Sequence, residues 1–175
     1  MPVNRPPISQ VTADFQQYVD IIYDCVIKLN AKTILEVGTD LGDSTRIFAT
    51  ALNETGGYIW TVDIKPPQWS PVLMVGFPNV HVITSDIKDL KWDKQLDILF
   101  LDSDHHYQHV LTELDCFGKW VRKNGLIILH DTHHSEFGTQ ITQAMTEYAS
   151  GKSYPIKDYP FGHGLGIIEV TNAVY

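Results

Sequence analysis

From Val11 the apolar residues Phe15, Tyr18, Ile22, Val26 and Leu29 recur at three- and four-residue spacing, which predicts a helix, with Thr12 placed to cap it. The period changes at Thr33. Thr33–Val37 is a short β-rich run ending at Gly38, and Asp43 then stands where an N-cap would open a helix through Ile47, Phe48 and Leu52. Gly56-Gly57 breaks that helix, and Tyr58–Val62 reads as a second strand ending at Asp63. Pro66, Pro67, Pro71 and Pro78 mark residues 65–79 as loop, with room for one helical turn. Val80–Thr84 is a third strand before Ser85-Asp86, and Leu96–Leu101 is a fourth before Asp102. Tyr107, Val110, Leu111, Leu114, Phe117 and Val121 mark a helix that Asn124-Gly125 is expected to close. Leu126–Leu129 is a fifth strand before His130-Asp131, and Ile141, Met145 and Tyr148 mark a last helix. A weak strand near Tyr154–Ile156 and a clearer one at Leu165–Val170 follow.

Strands alternating with helices predict an α/β fold, a mostly parallel sheet covered on both faces in three layers. Strands one, four and five are the most apolar and belong at its centre. Only Lys157–Gly164 separates the last two strands, too little for a crossover, so they should pair antiparallel. Residues 1–30 read as an N-terminal arm and helix, and residues 31–175 as the body of a single domain.

Composition narrows the partners. The 175 residues carry a net charge of −8, with no cluster of Lys and Arg. That disfavours nucleic acid, whose phosphates are bound mainly by basic side chains. No apolar run approaches the roughly 20 residues that cross a bilayer, and the Pro-rich start has no secretory pattern. Cys25 and Cys116 fall in apolar helical patterns and read as small buried thiols. A cytoplasmic protein acting on a small molecule, without a membrane partner, fits these facts. Oligomeric state is open, a homo-oligomer included.

The chemistry concentrates where strands end. Ligands of open α/β sheets bind outside the carboxyl ends of the strands. Glu36-Val37-Gly38-Thr39-Asp40-Leu41-Gly42 follows a strand and opens a helix, with glycines that let a ligand approach the backbone. Its spacing is G-x-x-x-G, not the G-x-G-x-x-G of a dinucleotide site, so an NAD-linked dehydrogenase is disfavoured. Glu36 would repel a phosphate and attract an ammonium group. Asp63 stands where a carboxylate accepts ribose hydroxyls, and Asp86, after Ser85, where one accepts an adenine amine. Together they point to an adenosine site.

These residues resemble the class I S-adenosylmethionine-dependent methyltransferases. Phe100-Leu101-Asp102-Ser103-Asp104-His105-His106-Tyr107 is similar to the "hydrophobic-Asp-Gly-x-His-x-Tyr" segment of a subgroup of sugar and small-molecule O-methyltransferases related to cephalosporin hydroxylase-like proteins. Asn124–Asp131 resembles that subgroup's fifth strand, and Ser103 replaces its usual glycine. The resemblance covers about residues 31–135. It implies a Rossmann-like, seven-stranded sheet with the last strand antiparallel. It also implies S-adenosylmethionine held by Glu36, Gly38, Thr39, Gly42, Asp63, Ser85, Asp86 and Asp102. Gly38 and its neighbours would face the methionine part, Asp63 the ribose and Asp86 the adenine.

Transfer to a hydroxyl needs in-line alignment and a proton acceptor. His105, just beyond the fourth strand, is the expected base, with Asp102 beside it. Asp102 and Asp131 end adjacent strands and, with His130, form a candidate site for Mg²⁺ or another divalent metal. Phe161, His163 and the glycines around them read either as an acceptor-pocket wall or as a tight turn, with the turn preferred. Two further readings stand beside the methyltransferase. One is a non-catalytic cofactor-binding or interaction protein. The other is a metal-dependent hydrolase or oxygenase using the six histidines between His105 and His134.

Overall fold

The computed structural model describes residues 11–65 and 76–172. Seven strands form one sheet: β1 (Thr33–Val37), β2 (Tyr58–Asp63), β3 (Val80–Thr84), β4 (Leu96–Leu101), β5 (Val121–His130), β6 (Ile156–Tyr159) and β7 (Leu165–Glu169), in the order β3-β2-β1-β4-β5-β7-β6. The three most apolar strands, β1, β4 and β5, lie side by side in the middle, as their composition predicts. The chain divides into two compact units, residues 1–89 and 90–175.

In the first unit β1, β2 and β3 are parallel, with Val37 opposite Val62 and Asp63 opposite Thr84. The expected first helix is two: α1 (Ala13–Gln16) and α2 (Val19–Leu29). Thr12 makes no side-chain cap; its backbone N–H instead donates to Asp43 Oδ2 at 3.0 Å. Val19, Ile22, Tyr23 and Val26 form the buried stripe of α2. They pack against α3 (Asp43–Thr55), whose Ile47, Phe48, Ala51 and Leu52 repeat the same spacing. The cap of α3 is Gly42, in the left-handed region at φ 74°, and Asp43 is the first helical residue. Gly56, also left-handed, ends the helix by donating its N–H to Leu52 O. Most of the Pro-rich loop, residues 66–75, lies outside the described residues.

In the second unit β4 and β5 are parallel, while β7 runs antiparallel to both β5 and β6. Helix α4 (Tyr107–Phe117) ends earlier than its apolar pattern suggests and passes through a 3-10 turn, Gly118–Trp120, into β5. Asn124-Gly125 therefore closes no helix. Leu96 pairs with Val121 and Ile98 with Leu126, so Arg122–Gly125 bulges out of β5. The bulge is tied to the end of β7 by Asn124 N–H to Val170 O at 2.7 Å and Val170 N–H to Gly125 O at 3.0 Å. Helix α5 (Gly138–Lys152) completes the unit and packs on α4. The cysteines depart from expectation: Cys25 is half-buried and Cys116 exposed, each just off its helix's apolar stripe.

Candidate active site

In the first unit three neighbouring strand ends converge. The loop after β1 turns through Gly38 (φ 91°), Asp40 (φ 37°) and Gly42. Glu36 does not face the loop's outer surface. It is fully buried, and its carboxylate accepts the hydroxyls of Ser44, at 2.6 Å, and Thr45. It thus braces the start of α3 beneath the loop. Asp63, at the end of β2, reaches across: its Oδ2 accepts the backbone N–H of Thr39 at 3.0 Å and of Asp40 at 3.2 Å, and its Oδ1 that of Lys65 at 3.0 Å. Partial burial works to raise the Asp63 pKa, but these amides together hold it below the ordinary value. The Ile64 amide contributes in the same direction. Thr39 is buried, its hydroxyl 2.6 Å from that of Thr61. Ser85 donates its backbone N–H to Asp63 O, and Asp86 Oδ1 caps a turn through the N–H of Lys88 at 2.9 Å. Gly38, Thr39, Gly42, Asp63, Ser85 and Asp86 therefore come together along one edge, while Glu36 supports them from below.

The second unit holds a ring of acids and imidazoles. The register of Leu101 with Leu129 sets Asp102 beside His130 and Asp131. His130 Nδ1 lies 3.2 Å from Asp102 Oδ1 and 3.4 Å from Asp131 Oδ1. His105 Nε2 lies 3.5 Å from Asp102 Oδ1 and 3.3 Å from Asp131 Oδ2. Two carboxylates are thus bridged twice. Burial works to raise the Asp102 pKa, yet the two imidazoles hold it at about 2. The hydrogen bond to Asp102 raises the His105 pKa against its own desolvation. Asp131 adopts φ 60°, a strained backbone for a non-glycine residue, which aims its side chain back at the ring. Asp102, His105 and Asp131 each offer a ligand atom within 4.8 Å of the others. His130, expected in that role, is not in that group; its Nδ1 pairs with Asp102 Oδ1 at 3.2 Å.

Three sets of contacts escaped the reading of the sequence. Glu113 is buried on the apolar face of α4 and accepts the Ser103 hydroxyl, with His109 Nε2 at 3.1 Å from the same oxygen. Its position between Val110 and Phe117 is the signal that placed it inward. Burial raises its pKa. His163 is brought onto Asp131 Oδ1, Nδ1 at 3.4 Å, because Leu165 of β7 pairs with His130. No local pattern announces that contact. Phe137 adjoins His105 and His106 and stacks on His134, with ring centres 5.5–5.9 Å apart. A groove of about 880 Å³ begins at Thr132 and His133 and follows the hydroxyl-rich face of α5.

A strand-end loop braced by an acid, followed by acids at the ends of β2 and β3 in this sheet order, defines the class I methyltransferase fold. Residues 35–132 match the family model described as "Methyltransferase domain", and the chain belongs to that family. Solved structures agree on the fold. The O-methyltransferase from Bacillus cereus in complex with SAH is 18% identical at a TM-score of 0.70, covering 92% of this chain and 85% of that one. The O-methyltransferase TomG from Streptomyces achromogenes, in complex with SAM, is 15% identical at 0.71, covering 98% and 93%. An uncharacterized protein of Acanthamoeba polyphaga mimivirus is 33% identical over 66 residues, 35% of this chain and 30% of that relative's length.

Proposed function

We propose that this protein is an S-adenosylmethionine-dependent O-methyltransferase acting on a hydroxyl of a small molecule. The observation that carries the reading is the cradle in the first unit, where Asp63 is pinned to the amides of the Gly38–Gly42 loop. The O-methyltransferase names of the similar structures, and the SAM and SAH bound to two of them, support it. S-adenosylmethionine would supply an electrophilic methyl group on sulfonium. Asp63 would accept its ribose hydroxyls, Asp86 its adenine amine, and the Gly38–Gly42 backbone would lie against its methionine portion. Methyl transfer forms an O–CH₃ bond as the S–CH₃ bond breaks, and the acceptor's hydroxyl proton must leave.

His105 takes that proton in this reading. Its Nε2 faces two carboxylates, which favour the tautomer protonated there and leave the lone pair on Nδ1. Asp102 fixes the ring. The donor set also fits a divalent ion. Donors in neighbouring positions around an ion with bonds of about 2.1 Å sit about 3.0–3.4 Å apart, the range in which His130 Nδ1 meets Asp102 and Asp131. Asp102 and Asp131, whose ligand atoms lie within 4.8 Å of each other and of His105, would hold such an ion, Mg²⁺ or another, with His130 beside them, and it would lower the pKa of a bound hydroxyl. No helix of the described residues is long and apolar enough to cross a membrane. A cytoplasmic setting, no nucleic-acid or membrane partner and a compact polar acceptor complete the reading. So does the option of a homo-oligomer.

Calorimetric titration with S-adenosylmethionine and S-adenosylhomocysteine, with and without EDTA, tests it. Binding in the micromolar range is the expected result. No binding under any condition overturns it and moves the acid–imidazole ring, as a metal-dependent hydrolase or oxygenase centre, to the front. Binding without turnover on any hydroxyl acceptor would leave a cofactor-binding protein.

A further inference from the structure

Glu113 is a buried acid to which methyl transfer, as described above, gives no task. It sits on the apolar face of α4 with Val110, Leu114 and Phe117, and only 1% of it is exposed. An acid is expensive to bury unless hydrogen bonds meet it. Burial raises the Glu113 pKa, and the Ser103 hydroxyl and His109 oppose that rise. Both act on one oxygen: Ser103 Oγ donates to Glu113 Oε1, and His109 Nε2 lies 3.1 Å from the same atom. Ser103 stands where the segment it resembles has glycine, so this hydroxyl is the chain's own.

The tie falls at a sensitive place. Ser103 follows Asp102, whose Oδ1 faces His130 Nδ1 at 3.2 Å and His105 Nε2 at 3.5 Å. Beyond His105 the chain is fastened again. Asp104 Oδ1 accepts the His106 N–H at 2.9 Å, and Gln140 Oε1 of α5 accepts the Tyr107 N–H at 3.2 Å. His105 therefore lies between two anchors, and the one on its strand side is the Ser103–Glu113 hydrogen bond. A reacting group must be held within about 0.5 Å of its productive place by supporting contacts of this kind.

We infer that Glu113 is a positioning residue: through the Ser103 hydroxyl it fixes the segment from Asp102 to His105 and so sets the aim of the His105 imidazole. The inference rests on the proton-accepting role given to His105 above. The competing account is an ordinary i, i+4 pair of His109 and Glu113. Such a pair would support α4 without bearing on His105, and it gives no reason for the Ser103 hydroxyl to meet the same buried oxygen.

The test uses the EDTA-treated full chain with isotope-labelled histidine, its ring signals read by NMR at one fixed pH. The expected result is a single sharp set of His105 signals with a proton on Nε2. Ser103→Ala and Glu113→Gln should each broaden or split that set, and should speed amide exchange at residues 103–107 by about tenfold or more, the scale of a lost hydrogen bond to a charged group. Ser103→Thr, which keeps the hydroxyl, should retain the parent's His105 signals. His81, in the first unit, should keep its signals in every variant. Ser103→Ala removes one loop hydroxyl and decides the matter even where Glu113→Gln fails to fold. His105 signals indifferent to Ser103→Ala, or lost equally with Ser103→Thr, overturn the inference. Calorimetry with S-adenosylmethionine on the same samples separates the two claims. A parent that binds no cofactor, with His105 signals that still depend on the Ser103 hydroxyl, refutes the methyltransferase reading and supports this one. Cofactor binding together with His105 signals that ignore both substitutions refutes only this one.

Discussion

Asp63 Oδ2 accepts the backbone N–H of Thr39 at 3.0 Å, so the end of β2 holds the loop after β1 in place. Asp63→Ala removes both that brace and the group assigned to the ribose. Cofactor affinity should fall about tenfold to a hundredfold, the scale of a lost charged hydrogen-bond partner. Isothermal titration of the variant checks this; unchanged affinity removes the ribose assignment.

The same carboxylate gives stability a pH dependence. Its pKa is lower in the folded chain than the ordinary 3.8. Its stabilising contribution is therefore complete above the unfolded value and is lost as pH falls through the folded one. Urea midpoints of the parent and of Asp63→Asn should differ most near neutrality and converge as pH falls from about 3.8 through the lower folded value. A gap that persists unchanged at low pH would show that the ionised form is not what stabilises.

His105→Ala should leave cofactor affinity intact and slow turnover by about 10²–10⁴-fold, the contribution of a general base. Equal turnover would transfer the proton to another acceptor. His106, paired with the neighbouring Asp104, is the control: His106→Ala should alter turnover by less than about threefold.

Glu36 is fully buried and accepts the Ser44 and Thr45 hydroxyls. Thr45→Val keeps the shape and withdraws one donor from a buried carboxylate, at a cost of about 1–3 kcal/mol. Chemical denaturation measures it. A cost near zero would mean that the carboxylate finds compensation from its other neighbours.

Gly164→Ala places a methyl group against His133 N and Thr132 Oγ1 at a left-handed backbone position. It should destabilise by about 1–3 kcal/mol. Thermal unfolding reads that loss, and a variant as stable as the parent would show that the turn moves freely.

The strands were legible because their apolar runs are short and each ends in an acid or glycine. The central places of β1, β4 and β5 followed from their being apolar throughout, but the full strand order did not. The helix boundaries were less so. Val121 continues the period of α4 yet starts β5, because its main chain pairs with Leu96 and tertiary pairing outweighs local period. Asn124-Gly125 has the composition of a cap, and the positive φ of Asn124, 63°, serves a bulge instead. In the site, Asp63 and Asp102 were legible because each directly follows or closes a strand. His163 was not. It lies 32 residues beyond Asp131, and only antiparallel pairing of β7 on β5 joins them. Glu36 showed its position but not its partners, since nothing in a sequence tells whether a buried acid points at a ligand or at its own helix.

The placement of β7 between β5 and β6 bears on how the chain is made. As the nascent chain leaves the ribosome, β6 emerges before the strand it must pair with. Until β7 follows, β6 has no hydrogen-bonded neighbour, and β5 offers an open apolar edge on that side. The His163 turn is part of the same hairpin. The second unit's acid–imidazole ring therefore gains its last member only once residue 165 has emerged and paired, and until then β5 exposes an unpaired strand edge of the kind that invites association with another chain.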